Sequence, residues 1–149
     1  MSAAKHNHTK LIKEVVNREV IAISPTNPVS EAAHMMMNED IGALIVTDAE
    51  TRPIGIITDR DIVVSVIAEG VSPDGVTVEE IMSKNLITVD EDEDIFDMLR
   101  LLSENSVRRL PVTRLGKLTG IVSVDDLIVI VATELVNVAM ALSSKSKML

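Results

Sequence analysis

The chain has 149 residues, 46% of them apolar, and a formal net charge of −9. That suits one compact domain or two small units sharing a core, and argues against a nucleic-acid binder, whose affinity rests on neutralising phosphates. With no cysteine there is no disulfide framework, thiolate metal site or thiol nucleophile, and with one Phe and no Trp or Tyr the interior falls to Ile, Val, Leu and Met.

Residues 1–8 are read as a polar tail without the apolar segment of a signal peptide, and His6 and His8 belong to that tail rather than to a metal site. A first unit is expected over 9–70. It runs through a helical turn (Leu11–Val16), a short β run (Ile21–Ile23) and a helix (Val29–Asn38). A strand (Ala43–Thr47), a turn, a second strand (Ile54–Thr58) and a closing helix from Asp59 complete it. A turn-rich linker follows at 71–76. A second unit over 77–142 repeats the series: Val78–Met82, Ile87–Val89, a helix over Ile95–Glu104, strands Leu110–Thr113 and Leu118–Val122, and a closing helix from Val124. In its first helix Ile95, Met98, Leu99, Leu101 and Leu102 form a broad stripe at helical spacing. Residues 143–149 are set apart as a polar tail. The fold class is α/β (α+β): two tandem repeats, each a small β-sheet packed on helices, related by a pseudo-twofold axis.

The duplication is visible residue by residue. Gly55-Ile-Ile-Thr-Asp-Arg-Asp-Ile62 returns 65 residues later as Gly120-Ile-Val-Ser-Val-Asp-Asp-Leu127. Ile41–Thr47 returns 66 residues later as Val107–Thr113. The one-residue change falls in the turn between the strands, where insertions belong. Repeats of this size usually pack on each other, which puts a cleft along the pseudo-dyad.

These residues resemble the CBS-domain family from about Leu11 to Leu135. The resemblance is carried by Val16–Ile21 against Met82–Ile87, by Arg108-Arg109-Leu110-Pro111-Val112, and above all by Gly55–Asp61. It implies a tandem pair, commonly dimeric through its helices, that binds an adenine nucleotide or related adenosyl ligand and regulates another protein. Each pair has two potential sites that borrow from both repeats.

Thr58-Asp59-Arg60-Asp61 ends a strand and opens a helix, where unpaired N–H groups suit phosphate. Asp61 has two acceptor oxygens suited to paired ribose hydroxyls, and the resemblance assigns it that role. The same spacing also makes a capping box, with a hydroxyl at the N-cap and a carboxylate three residues on; the two roles are compatible. By resemblance, Ile87 and Val107 face the base of this first site, and Arg108 and Arg109 approach the phosphates, as bidentate guanidinium groups do; surface salt bridging is their other reading. The second site takes Ser123 and Asp126, with Val16, Ile21, Ile41, Gly42 and Ala43 as its base wall. Asp125 there replaces Arg60, and Gly42-Ala43 replace the arginine pair. The Thr58/Asp61 site is therefore expected to hold multiply charged nucleotides better.

Other features are read as structural. Asp90–Asp94 lacks the glycine of a calcium loop and is expected to solvate a turn and complement the next helix dipole. Met35–Met37 is expected to fill the core, and His34 to lie on a partly exposed helix face. No activated nucleophile is present, so no enzyme and no catalytic, metal or cofactor residue is expected, with the nucleotide a regulatory ligand. The closing helix carries Leu127, Val131, Leu135, Val138 and Leu142 on one stripe, with apolar residues over much of the rest. That surplus predicts a homodimer. The longest unbroken apolar run, Leu127–Ala132, is too short to span a bilayer, so the expected setting is cytoplasmic, with no membrane and an unidentified effector protein as partner. The other functional reading is a structural or partner-docking protein with vestigial clefts.

Overall fold

The structure, a computed structural model, describes residues 10–148, with side chains described as far as Ser144. In the first repeat, β1 (Ala22–Ile23) leads to helix α1 (Val29–Glu39), then to strands β2 (Ala43–Thr47) and β3 (Pro53–Thr58). Helix α2 (Asp59–Ile62) follows and widens into a π turn over Val63–Ile67. The second repeat opens with α3 (Val78–Ile81) and continues with β4 (Val89–Asp90), α4 (Ile95–Asn105), β5 (Arg109–Arg114), β6 (Lys117–Ser123) and α5 (Val124–Met148). Each repeat holds a three-stranded sheet in chain order, with a parallel first pair and an antiparallel hairpin.

Local chemistry sets the boundaries. Asp94 caps α4 by accepting from the Asp97 N–H at 2.9 Å. Helices α1 and α4 each end on a left-handed residue, Asp40 (φ 55°) and Ser106 (φ 52°), at equivalent places in the two repeats. The β5–β6 hairpin closes through Leu115 and Gly116, both at positive φ, as a type I′ turn requires.

Two cores form, and they match position for position. Val29, Ala32, Met36, Leu44, Val46 and Ile57 of the first answer to Ile95, Met98, Leu102, Leu110, Val112 and Val122 of the second. The leading turns depart from expectation. The turn before β1, a 3-10 turn at Ile12–Glu14, places fully buried Ile12 in the core of the second repeat, and α3 places fully buried Val78 in the core of the first. Each repeat thus fills its core with a residue from outside its own sheet and helix, because a short turn has too little apolar surface to fold against β1 alone. Two reciprocal backbone pairs fasten the exchange: Asn17 with Ile121 of β6, and Ser83 with Ile56 of β3. The pseudo-dyad is explicit in that symmetry.

The repeated glycines permit this crossing. A Cβ on Gly120 would stand 2.6 Å from the Asn17 carbonyl oxygen and would run into the Val16 side chain. One on Gly55 would stand 2.9 Å from the Ser83 carbonyl oxygen. The glycine that opens each Gly-Ile motif is the point where the other crossing strand lies on the sheet edge.

Three further expectations need correction. Glu91 does not solvate its turn: it is 5% exposed, accepting from Arg18 at 3.2 Å and from the Thr119 hydroxyl at 3.1 Å. It ties the crossing segment to the second sheet. Of the methionines, Met36 is buried but Met37 is exposed, since successive helix positions face different ways. Finally, the segment set apart as a C-terminal tail continues α5 through Met148, and Val124–Ser144 is long and apolar enough to cross a membrane by length and composition, with mean hydropathy 2.0. Counting unbroken apolar runs missed this because Thr133, Glu134 and Asn137 interrupt the run without ending the helix. The first tail (1–8), with His6 and His8, lies outside the described residues.

Candidate ligand cleft between the repeats

A cleft of about 380 Å³ opens between the two hairpins. Strand periodicity builds its walls: Ala43 and Ile45 share one face of β2, Arg109 and Pro111 one face of β5, and Ile121 and Ser123 one face of β6. The crossing segment contributes Asn17, Glu19, Val20 and Ile21, and Ile41 and Ile56 complete the apolar lining. The polar end is the start of α5, where Ser123, Asp125 and Asp126 converge. Asp126 donates its N–H to Ser123 Oγ at 3.2 Å, and the Ser123 hydroxyl donates to Asp126 Oδ2 at 2.9 Å. Asp126 itself is exposed. Aliphatic walls with one polar end accommodate a flat, apolar-faced molecule carrying hydroxyls at one edge.

Of the residues expected at the second site, Ser123, Asp126, Ile21, Ile41 and Ala43 line this cleft. Val16 and Gly42 do not. Val16 packs toward the second core beneath Gly120, and Gly42 lies against Asp59, accepting its N–H at 2.9 Å.

Arg109 is the main correction. It lines the Ser123 cleft. The antiparallel register explains this, since Arg109 is the cross-strand partner of Ser123 in its own hairpin, as Ala43 is of Thr58. The register therefore sets a guanidinium opposite Ser123 and a methyl group opposite Thr58. Neighbouring Arg108 is exposed and pairs with Asp125 at 3.5 Å, partly neutralising that carboxylate.

At the Thr58 end the capping box is fully formed. Asp61 N–H donates to Thr58 Oγ1 at 3.1 Å, and Thr58 N–H donates to Asp61 Oδ2 at 2.9 Å. Arg60 is exposed, and Ile87 and Val107 pack against the second core. The cleft's own charge is three carboxylates (Glu19, Asp125, Asp126) against one guanidinium (Arg109). Sequence reasoning missed Ile45, Ile56, Pro111 and Ile121; stepping two residues along each strand from Ala43 and Ser123 would have found most of them.

The CBS domain family model matches residues 12–67 and 78–133. An uncharacterised protein of Methanopyrus kandleri is 40% identical over 118 residues, 78% of this chain and 60% of that protein, so the chain spans well under its full length. Hypoxic response protein 1 of Mycobacterium tuberculosis is 34% identical over 115 residues, 77% of this chain and 80% of that one. Among solved structures, Hypoxic Response Protein I with two coordinated zinc ions superposes with TM-score 0.72 at 33% identity, covering 80% of this chain and 97% of that one. The CBS domain pair of MJ0100, in complex with 5′-methylthioadenosine and S-adenosyl-L-methionine, superposes with TM-score 0.69 at 27% identity, covering 85% and 98%. Two family matches falling on two repeats that exchange their leading turns admit one reading: the chain belongs to the CBS-domain family, as a tandem pair.

Proposed function

We propose that the chain is a regulatory module that binds an adenosyl ligand in the cleft between its repeats, acts through a separate effector protein, and assembles with a second copy of itself in the cytoplasm. It carries no catalysis and needs no cofactor. The observation that carries this reading is the cleft itself, whose walls come from both hairpins and whose polar end is the Ser123/Asp126 turn. A ligand filling it touches both repeats and so favours one relative packing over another. The solved MJ0100 pair, with two adenosyl compounds bound, supports the ligand class.

Local charge refines that class. Three carboxylates outnumber Arg109 around the cleft, so a neutral or cationic adenosyl compound, or a monophosphate held by Arg109, fits better than a triphosphate. The Thr58/Asp61 end, with Ala43 where the cleft has Arg109, takes the weaker role, the reverse of the order expected from sequence.

Calorimetric titration with 5′-methylthioadenosine, S-adenosylmethionine, AMP and ATP tests the assignment. Asp126→Ala removes an acceptor whose hydrogen bonds to ribose are worth about 1.5–3 kcal/mol, so affinity should drop about tenfold or more, while Asp61→Ala should leave the tightest site unchanged. If none of the four binds the unmodified protein, the docking-protein reading replaces this one.

A further inference from the structure

The two crossings of the pseudo-dyad share a backbone pattern and differ in chemistry. Asn17 N–H donates to Ile121 O at 2.9 Å, and Ser83 N–H donates to Ile56 O at 2.9 Å. The supporting turns match as well: Lys13 N–H donates to Glu91 O at 2.9 Å, and Glu79 N–H to Pro25 O at 3.0 Å. The side chains around them do not match. At the Asn17 crossing, nearly buried Glu91 accepts through Oε2 from Arg18 at 3.2 Å and from the Thr119 hydroxyl at 3.1 Å. Arg114 Nε lies 4.0 Å from its Oε1. At the Ser83 crossing, the repeat sets Pro25 in the place of Glu91, Lys84 in that of Arg18, Ile54 in that of Thr119 and Asp48 in that of Arg114.

Ile54 packs on the first core, Asp48 pairs with Arg52 of its own turn at 3.0 Å, and Lys84 is exposed. The side chains of Pro25 and Ile54 offer Lys84 no acceptor, so the Ser83 crossing rests on its backbone bonds and on apolar contact. We propose that Glu91 is the positioning residue of the cleft. Through Arg18 it fixes the floor, Asn17–Ile21, before a ligand arrives, while the Ser83 crossing stays free to adjust. The proposal rests on the cleft being the ligand site, and adds which of the two crossings is preorganised for it.

A buried carboxylate stripped of its partner is costly, so Arg18 is held to Glu91 even though half of the arginine side chain is in water. Arg18 lies between Asn17 and Glu19, which both line the cleft, so a shift at the arginine moves both. Thr119 stands two residues before the lining residue Ile121 on β6, and alternation puts the two on one face of the strand. The clasp and the floor are thus fastened to the same strand. A floor already in place spares a ligand the cost of ordering it.

Hydrogen exchange of the full chain without ligand, read at two amides, is the test. The Asn17 and Ser83 N–H groups make bonds of equal length, so without the clasp their protection factors should be alike. In the native chain Asn17 should be roughly three- to tenfold better protected, the worth of a charge-assisted bond with one end in water. Arg18→Gln, changed at the exposed end of the pair, and Glu91→Gln should each bring Asn17 to the level of Ser83 and leave Ser83 unchanged. A merely structural role would lower both together. Equal protection in the native chain, or a joint loss in both variants, would overturn the clasp. In calorimetry, Arg18→Gln should weaken the tightest of the four adenosyl probes by a similar factor; unchanged affinity would refute the positioning role. Should the native chain bind none of the four, the ligand reading fails, and exchange still decides the clasp.

Discussion

Gly120→Ala tests the crossing of the chains most sharply. The new Cβ would run first into the Val16 side chain and would stand 2.6 Å from the Asn17 carbonyl oxygen. A backbone atom cannot swing aside as a flexible side chain can, so the crossing segment must lift off β6. The reciprocal bonds at risk are Asn17 N–H to Ile121 O and Ile121 N–H to Asn17 O, both 2.9 Å. Each nets about 0.5–1.5 kcal/mol, and forcing a methyl into a filled site costs about 1–3 kcal/mol. The loss should therefore be roughly 2–6 kcal/mol, a large fraction of a typical domain's stability. At about 2–4 °C per kcal/mol for a chain of this size, the melting temperature should fall by roughly 10 °C. Gly75→Ala is the control, since its Cβ would meet only the Ser72 carbonyl oxygen at an ordinary 3.7 Å; it should change stability by less than about 0.5 kcal/mol. Equal melting temperatures for the two variants would show that the crossing segment does not press on the sheet edge, and the argument for a fixed exchange would go with it.

Leu115→Asn should stabilise the protein by roughly 1 kcal/mol in urea denaturation, because Leu115 holds φ 53° in a two-residue hairpin where leucine is strained and asparagine is not. Glu91→Ala should cost about 2 kcal/mol by the same assay, since it strips partners from Arg18 and Thr119 in a nearly closed site. Ile12→Ala should cost about 2–4 kcal/mol and lower the melting of both halves together, a coupling readable as one calorimetric transition. The Asp48 carboxyl should titrate below the ordinary aspartate value, chiefly because the Arg52 backbone N–H donates to it at 2.9 Å, with the Arg52 guanidinium and the Glu50 N–H adding to this against the opposing effect of desolvation. A depressed carboxylate adds stability that is present above the unfolded-state value and is lost as pH falls through the folded one. Carbon-detected NMR titration should place the Asp48 midpoint on the acid side of a model aspartate, and Asp48→Asn should remove that acid-side step.

The duplicated motifs were enough to read the element order and the membership of each sheet, because strand alternation and helix stripes are local properties. What eluded them was reach. Nothing in Leu11–Val16 distinguishes a turn that packs on its own repeat from one that packs on the other; only the total shape of two half-filled cores decides. Arg109 was misplaced for a related reason. Its neighbours in sequence suggest a shared arginine clamp, whereas the hairpin register sets it opposite Ser123. Glu91 looked like one acid in a solvated run until Arg18 arrived from a distant segment to meet it. The apolar walls were legible in principle, since each lies two residues from a named position.

The stretch from Asn17 to Ile21 serves two masters at once. It is the floor a bound molecule would rest on, and the strap by which one half grips the other through Ile121. If the proposed ligand binds there, its contact with that floor would bear on the same segment that joins the halves, with no hinge or lid needed to connect the two. Each half lends the other a buried residue and a backbone bridge, so loosening one half removes support from its neighbour.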